Sequence, residues 1–156
     1  MTKYEELLDA AAGEDITVME HFPFASERIK GLYCDGNVAL SSNLHTDTER
    51  ICVLAEELGH HYTSTGDIIE LNDVGNRKQE LHARIWAYQS LIALPQLIEA
   101  CRHGCRSLHD VSEYLDVTPA FLQEAIEYYR TKCGTYVTID NYTICFEPYL
   151  AIVKIF

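Results

Sequence analysis

Leu54-Ala55-Glu56-Glu57-Leu58-Gly59-His60-His61 is the stretch on which the reading of this chain turns. It lies in the clearest helix of the sequence, about 47–63, where Ile51, Leu54, Ala55 and Leu58 recur at helical spacing and Thr46 or Thr48 can cap the start. Glu56 and His60 are four residues apart, so both project from one face toward a single point. A metalloprotease helix needs that arrangement: two ligands one turn apart, with a carboxylate beside the first to deprotonate a metal-bound water. The usual spelling is His-Glu-x-x-His. Here Glu57 stands at the base position, His60 at the second ligand position and Glu56 where the first histidine belongs. An acidic pair ahead of a histidine is also an ordinary solvated helix face, and the segment taken alone leaves both readings open.

Outward from this helix, residues 2–12 read as a helix stopped by Gly13, Ile16–Met19 as a short strand, and Gly31–Ser42 as a hairpin about Asp35-Gly36. After the metal helix comes a polar loop with Gly66, Asp67, Asn72, Asp73 and Gly75, then a second helix over 77–93 with Leu81, Ile85, Tyr88 and Ile92 at helical spacing. Pro95 opens a helix to about 103, Ser107 one to Leu115, and Thr118-Pro119 one to about Arg130. The period then changes. Tyr136–Ile139 and Tyr142–Phe146 flank Asp140-Asn141 as a hairpin, and Leu150–Ile155 can add a third strand. The class is α+β.

The second helix supplies what the first lacks. Glu80 is followed by Ala83 and Ala87 on one helical side, which allows close packing and brings a third ligand to the metal. Together the helices resemble the ImmA/IrrE family of metallo-endopeptidases, a zincin-like group with a His-Glu-x-x-Gly-His-like helix, then Glu-x-x-Ala-x-x-Phe-Ala and a Leu-Met-Pro-like ending. This chain reads Glu80-x-x-Ala83-x-x-Trp86-Ala87 and then Leu91-Ile92-Ala93-Leu94-Pro95. The resemblance spans roughly Gly31 to Arg130. It implies a zincin-like core over residues 1–105, made of a small sheet and metal-binding helices. Residues 106–156 would form a helix-turn-helix-like segment and a C-terminal β-hairpin packed on it.

Carried over by position, the resemblance implies metal ligands at Glu56, His60 and Glu80, with Glu57 as general base and proton shuttle. One divalent ion is expected, zinc first, with manganese or another transition metal as alternatives. Two carboxylates and one imidazole cancel its charge, so the site should be a weaker Lewis acid than one with two imidazoles. His61, four residues from Glu57, is the second choice of ligand in place of Glu56. The implied substrate is a helix-turn-helix repressor of a prophage or other mobile element. The rival reading is a protease-like binding module that acts as an anti-repressor by contact alone.

The remaining chemistry-bearing residues have plain readings. His82 points away from Glu80 on an ideal helix, and His45 is a turn residue ahead of the metal helix. Asp67 or Asp73 can accept a hydrogen bond from the ligating imidazole or simply solvate the loop. Val38-Ala39-Leu40 is a candidate edge strand for aligning an extended substrate, or a plain core strand. Cys101 and Cys105 are one turn apart with no second Cys/His pair and read as reduced thiols, while Cys34, Cys52, Cys133 and Cys145 read as core.

Composition sets the outer bounds. The chain has 156 residues, 47% of them hydrophobic, enough for a real core. Twelve Lys+Arg against 24 Asp+Glu give a net charge of −12, which argues against nucleic-acid and anionic-membrane partners. Residues 106–130 carry Arg106 and Arg130 against Asp110, Glu113, Asp116, Glu124 and Glu127, so the helix-turn-helix-like segment is a packing or protein-docking element rather than a DNA reader. Six cysteines are too few for a disulfide scaffold, and neither a signal peptide nor a membrane span is legible. The expected location is the cytoplasm.

Overall fold

The structure, a computed structural model, describes residues 1–64 and 73–156, with side chains of the latter part from residue 77 onward. The loop positions Gly66, Asp67 and Asn72, and the side chain of Asp73, lie outside the described residues. The chain is α+β, and it divides into two compact units, Met1–Ala87 and Tyr88–Phe156.

The first unit opens with α1 (Lys3–Gly13), started by a reciprocal box in which Glu5 N–H donates to the Thr2 hydroxyl and Thr2 N–H to the Glu5 carboxylate. Three strands follow: β1 (Thr17–Phe22), β2 (Gly31–Cys34) and β3 (Asn37–Ser41). The β2–β3 hairpin turns on Asp35-Gly36, both at positive φ, as a two-residue turn between twisted strands requires. β1 then pairs in parallel with the other side of β3, giving the order β1-β3-β2. Val38-Ala39-Leu40 is therefore the central strand and not an edge; Val38 and Leu40 are buried to within 1%. Of the two readings of these residues the plain core strand holds; the hairpin signal is local and could not decide it, because the parallel partner comes from twenty residues upstream. The edges are β1 and β2.

α2 (Asp47–Thr63) is capped by Thr46, whose hydroxyl accepts from Glu49 N–H, and it buries Ile51, Leu54, Ala55 and Leu58. α3 (Asp73–Leu91) starts four residues earlier than its apolar periodicity suggests. Its buried positions in this unit are Ala83 and Ala87, whereas Leu81 is half exposed. The small residues make the contact because the neighbouring helix comes too close for large ones.

In the second unit, α4 (Leu94–Arg102) carries Pro95 in its first turn, where a missing N–H costs nothing. α5 (Leu108–Tyr114) and α6 (Pro119–Cys133) form the anticipated helix-turn-helix-like pair, capped by the hydroxyls of Ser107 and Thr118. The turn between them holds Asp116 at φ 56° and sinks Val117 into the core with Phe121 and Leu122. The hydroxyl of Tyr129 donates to the carbonyl of Ile92 at 2.7 Å, satisfying a buried helix end. β4 (Tyr136–Ile139), β5 (Tyr142–Cys145) and β6 (Ala151–Lys154) make an antiparallel meander whose first turn contains Asp140 at φ 53°.

All six cysteines are free thiols. Cys52 is buried as expected, but Cys34 is exposed, since the alternation of the edge strand β2 turns it outward beside the hairpin turn. No helix among the described residues is long and apolar enough to cross a membrane.

Candidate metallopeptidase site

α2 carries the site on two neighbouring stripes. Val53, Glu57 and His61 recur every fourth residue and face β2. A Cβ added to Gly31 would lie 2.6 Å from Val53 Cγ1 and 3.2 Å from Glu57 Oε1, so only glycine lets the strand approach. Two residues on and on the same strand face, the Tyr33 hydroxyl lies 2.7 Å from His61 Nδ1 and accepts the N–H of Gly36. Glu56 and His60 occupy the second stripe.

The second stripe meets α3 at a backbone-to-backbone contact. A Cβ on Gly59 would lie 2.3 Å from the carbonyl oxygen of Ala83, which explains why glycine and alanine stand at this crossing. One consequence is that Glu80, a turn before Ala83, reaches the first helix: its Oε1 is 3.3 Å from His60 Nε2. Beyond the crossing, the rings of Tyr62 and Trp86 stack at 4.8 Å.

Glu57 is the electrostatically unusual group. Burial, then the negative charges of Glu80 and Glu56, push its carboxyl up to about 8, opposed only by the nearby main chain of Tyr33. Three carboxylates and an imidazole therefore gather where two helices and a strand edge converge. Their mutual repulsion is what a divalent cation would relieve. Two donors on a tetrahedral zinc ion stand about 3.3 Å apart when each bond is ~2.05 Å, so the observed His60–Glu80 separation suits a shared ion. Among the described residues, however, no trio of His, Cys, Asp and Glu is drawn together tightly enough to hold a metal. The chain brings Glu80 to His60 and sets Glu56 beside Glu57, without closing Glu56 onto the other two.

His61 is turned away from that pair. Its Nδ1 faces Tyr33 and its Nε2 lies 3.9 Å from Glu14, at the end of α1. His45 and His82 are exposed. The residues that sequence reasoning overlooks are Gly31, Tyr33 and Glu14. The strand alternation of Gly31-x-Tyr33 puts both on the helix-facing side and was the available signal; Glu14 has none, since it meets His61 only through the fold.

Comparison with known proteins adds one finding. The sequence profile of the M78 peptidase family, described as the IrrE N-terminal-like domain, matches residues 11–127, well over half the chain. Neither the curated proteins nor the solved structures contain a match.

Proposed function

The chain belongs to the IrrE N-terminal-like domain family of M78 peptidases, and from that premise we propose that it is a metal-dependent endopeptidase. The observation that carries the reading is the approach of Glu80 to His60, enforced by the Gly59–Ala83 contact, beside a buried Glu57. His60, Glu80 and Glu56 would hold the ion, Glu56 joining by rotation of its side chain. When bound, a divalent cation polarises a peptide carbonyl and makes the attacking water more acidic.

The protein's own groups supply the rest. Glu57 takes the proton from the attacking water and returns it to the leaving amine. Its raised affinity for a proton suits the second task, and a neighbouring cation favours the ionised form that the first requires. β2 offers an open strand edge beside Glu57 for an extended peptide. The proposed substrate is a helix-turn-helix repressor of a mobile element inside the cell, cut at an exposed linker.

Two measurements test this. Elemental analysis of the native chain should find about one equivalent of transition metal, lost in both His60→Ala and Glu80→Ala; metal indifferent to both changes would refute the ligand set. Glu57→Gln should keep the metal and lose hydrolysis of a labelled unfolded protein by about 10²–10⁴-fold.

A second reading is favoured by one observation, the unclosed ligand set among the described residues. On that reading the chain is a protease-like module that holds its partner without cutting it. Glu57→Gln would then leave partner binding and biological effect unchanged.

A further inference from the structure

The sheet of the second unit has two edges, and they end differently. Tyr136 pairs with Cys145 and Ile139 with Tyr142, and Phe146 N–H donates to the Thr135 carbonyl at 2.8 Å. That phase directs the main-chain groups of residues 135, 137 and 139 to β5, so Tyr136 and Thr138 turn theirs outward. On the other side, Ile155 N–H donates to the Asn141 carbonyl at 2.7 Å, which leaves Ile152 and Lys154 outward on β6. The β6 edge is covered: the Cys101 thiol of α4 donates to the Ile152 carbonyl at 3.7 Å, and Lys154 adds a charge. The β4 edge has no such cover among the described residues. Its register is unbroken, and it reads Thr135-Tyr136-Val137-Thr138-Ile139, strand formers with no proline and no charge to blunt them.

We propose that β4 is a self-association edge: two copies of this chain pair their β4 strands antiparallel about a two-fold axis, joining two three-stranded sheets into one of six. The inference goes beyond the peptidase reading and does not depend on it.

Three observations select a second copy as the occupant. The alternation is self-complementary. With Val137 on the axis, Tyr136 of one copy faces Thr138 of the other, and their outward N–H and C=O groups meet in two hydrogen-bonded pairs. The surface around the edge is also uncharged. Tyr136, Thr138, Thr143, Cys145, Ala151 and Val153 share the outer face by register, and the hydroxyls of Thr138 and Thr143 meet there at 3.2 Å. Tyr136 is 60% and Val153 53% exposed. Each copy carries a net charge of −12, so two copies repel over most of their surface, whereas this face sets no carboxylate against another. Finally, the same register places Asp140 of one copy opposite Gly134 of the other, two residues beyond Lys132 at the end of α6. Both ends of the new pairing therefore bring opposite charges together.

The test is sedimentation of the full chain from about 1 to 200 µM, where the wild type should pass from monomer to dimer. Two double variants at exposed positions probe the register. Tyr136→Asp with Thr138→Asp sets carboxylate opposite carboxylate twice and should weaken the dimer at least about tenfold. Tyr136→Glu with Thr138→Lys sets opposite charges in both pairs and should stay within about threefold of the wild type. Amide hydrogen exchange on the unaltered chain keeps the test independent of how the variants fold. The Tyr136 and Thr138 amides should slow together as concentration rises, while that of Lys154 on the covered edge stays constant. A monomer throughout the range would overturn the proposal. So would a dimer that the aspartate pair leaves intact, or a Glu/Lys variant as weak as the aspartate one. Amides at Tyr136 and Thr138 that are already slow in the dilute chain would show the edge covered within one copy, and would overturn it as well.

Discussion

The helix pairs α2–α3 and α5–α6 are built on opposite rules. α5–α6 caps both helix starts with hydroxyls and fills its turn with Val117, Phe121 and Leu122. Its carboxylate Asp110 accepts from the N–H of Arg106 and from Ser107, which hold it below the usual carboxylate range. At α2–α3 the contact is Gly59 on Ala83, and the carboxylate beside it, Glu57, is pushed up to about 8 by burial and by Glu80 and Glu56. One pair has satisfied its charges and acts as scaffold. The other has crowded like charges into a half-buried seam, an arrangement that costs stability and is retained where chemistry requires it.

That contrast can be broken by pH. Glu57 binds its proton more tightly folded than unfolded, so it contributes stability below about pH 4.5 that is lost as pH rises through about 8. In chelator-treated protein, Glu57→Gln should gain on the wild type by up to ~4 kcal/mol between those limits, read as the difference in denaturant midpoints. A constant difference across pH would show that Glu57 titrates normally. The next largest effect is steric. Gly59→Ala drives a methyl group into the Ala83 carbonyl and should cost about 3 kcal/mol, with loss of any His60–Glu80-dependent metal.

On the scaffold side, Thr118→Ala removes the hydroxyl that accepts Phe121 N–H and should cost about 1 kcal/mol, measured by thermal unfolding, with metal content untouched. Asp110 sharpens the comparison most finely, because its sign is opposite. Its lowered pKa contributes stability above the unfolded value that is lost as pH falls through the folded one. Asp110→Asn should therefore matter at neutral pH and not in acid, an effect the smallest of the four because the group is exposed.

Much of this was legible in the residues. The α2 helix, its cap and the Glu56/Glu57/His60 register follow from periodicity over seventeen residues, and Glu80-x-x-Ala83 announced the close crossing that Gly59 completes. What escaped was non-local or silent. The hairpin at Asp35-Gly36 was readable, yet its turn signal says nothing about which strand will gain a third partner, so edge and core stayed open for β3 until the fold placed it at the centre. The helical spacing of Leu81, Ile85, Tyr88 and Ile92 identifies the helix but not the face that meets α2, because periodicity weighs large apolar residues whereas a backbone-close crossing buries small ones, and Leu81 is half exposed. Glu14 meets His61 across 47 residues of chain, a contact that leaves no mark in a sequence.

The stacked rings of Tyr62 and Trp86 have a practical consequence. Trp86 is the only tryptophan in the chain and sits three residues beyond Ala83, with Tyr62 three beyond Gly59. The tryptophan emission of this protein, excited selectively over its ten tyrosines, is therefore a single-site optical gauge of the α2–α3 seam, free of background from any other indole. Titrating a cation into the chelated chain while watching that one fluorophore follows the seam in real time, with no label and no substrate.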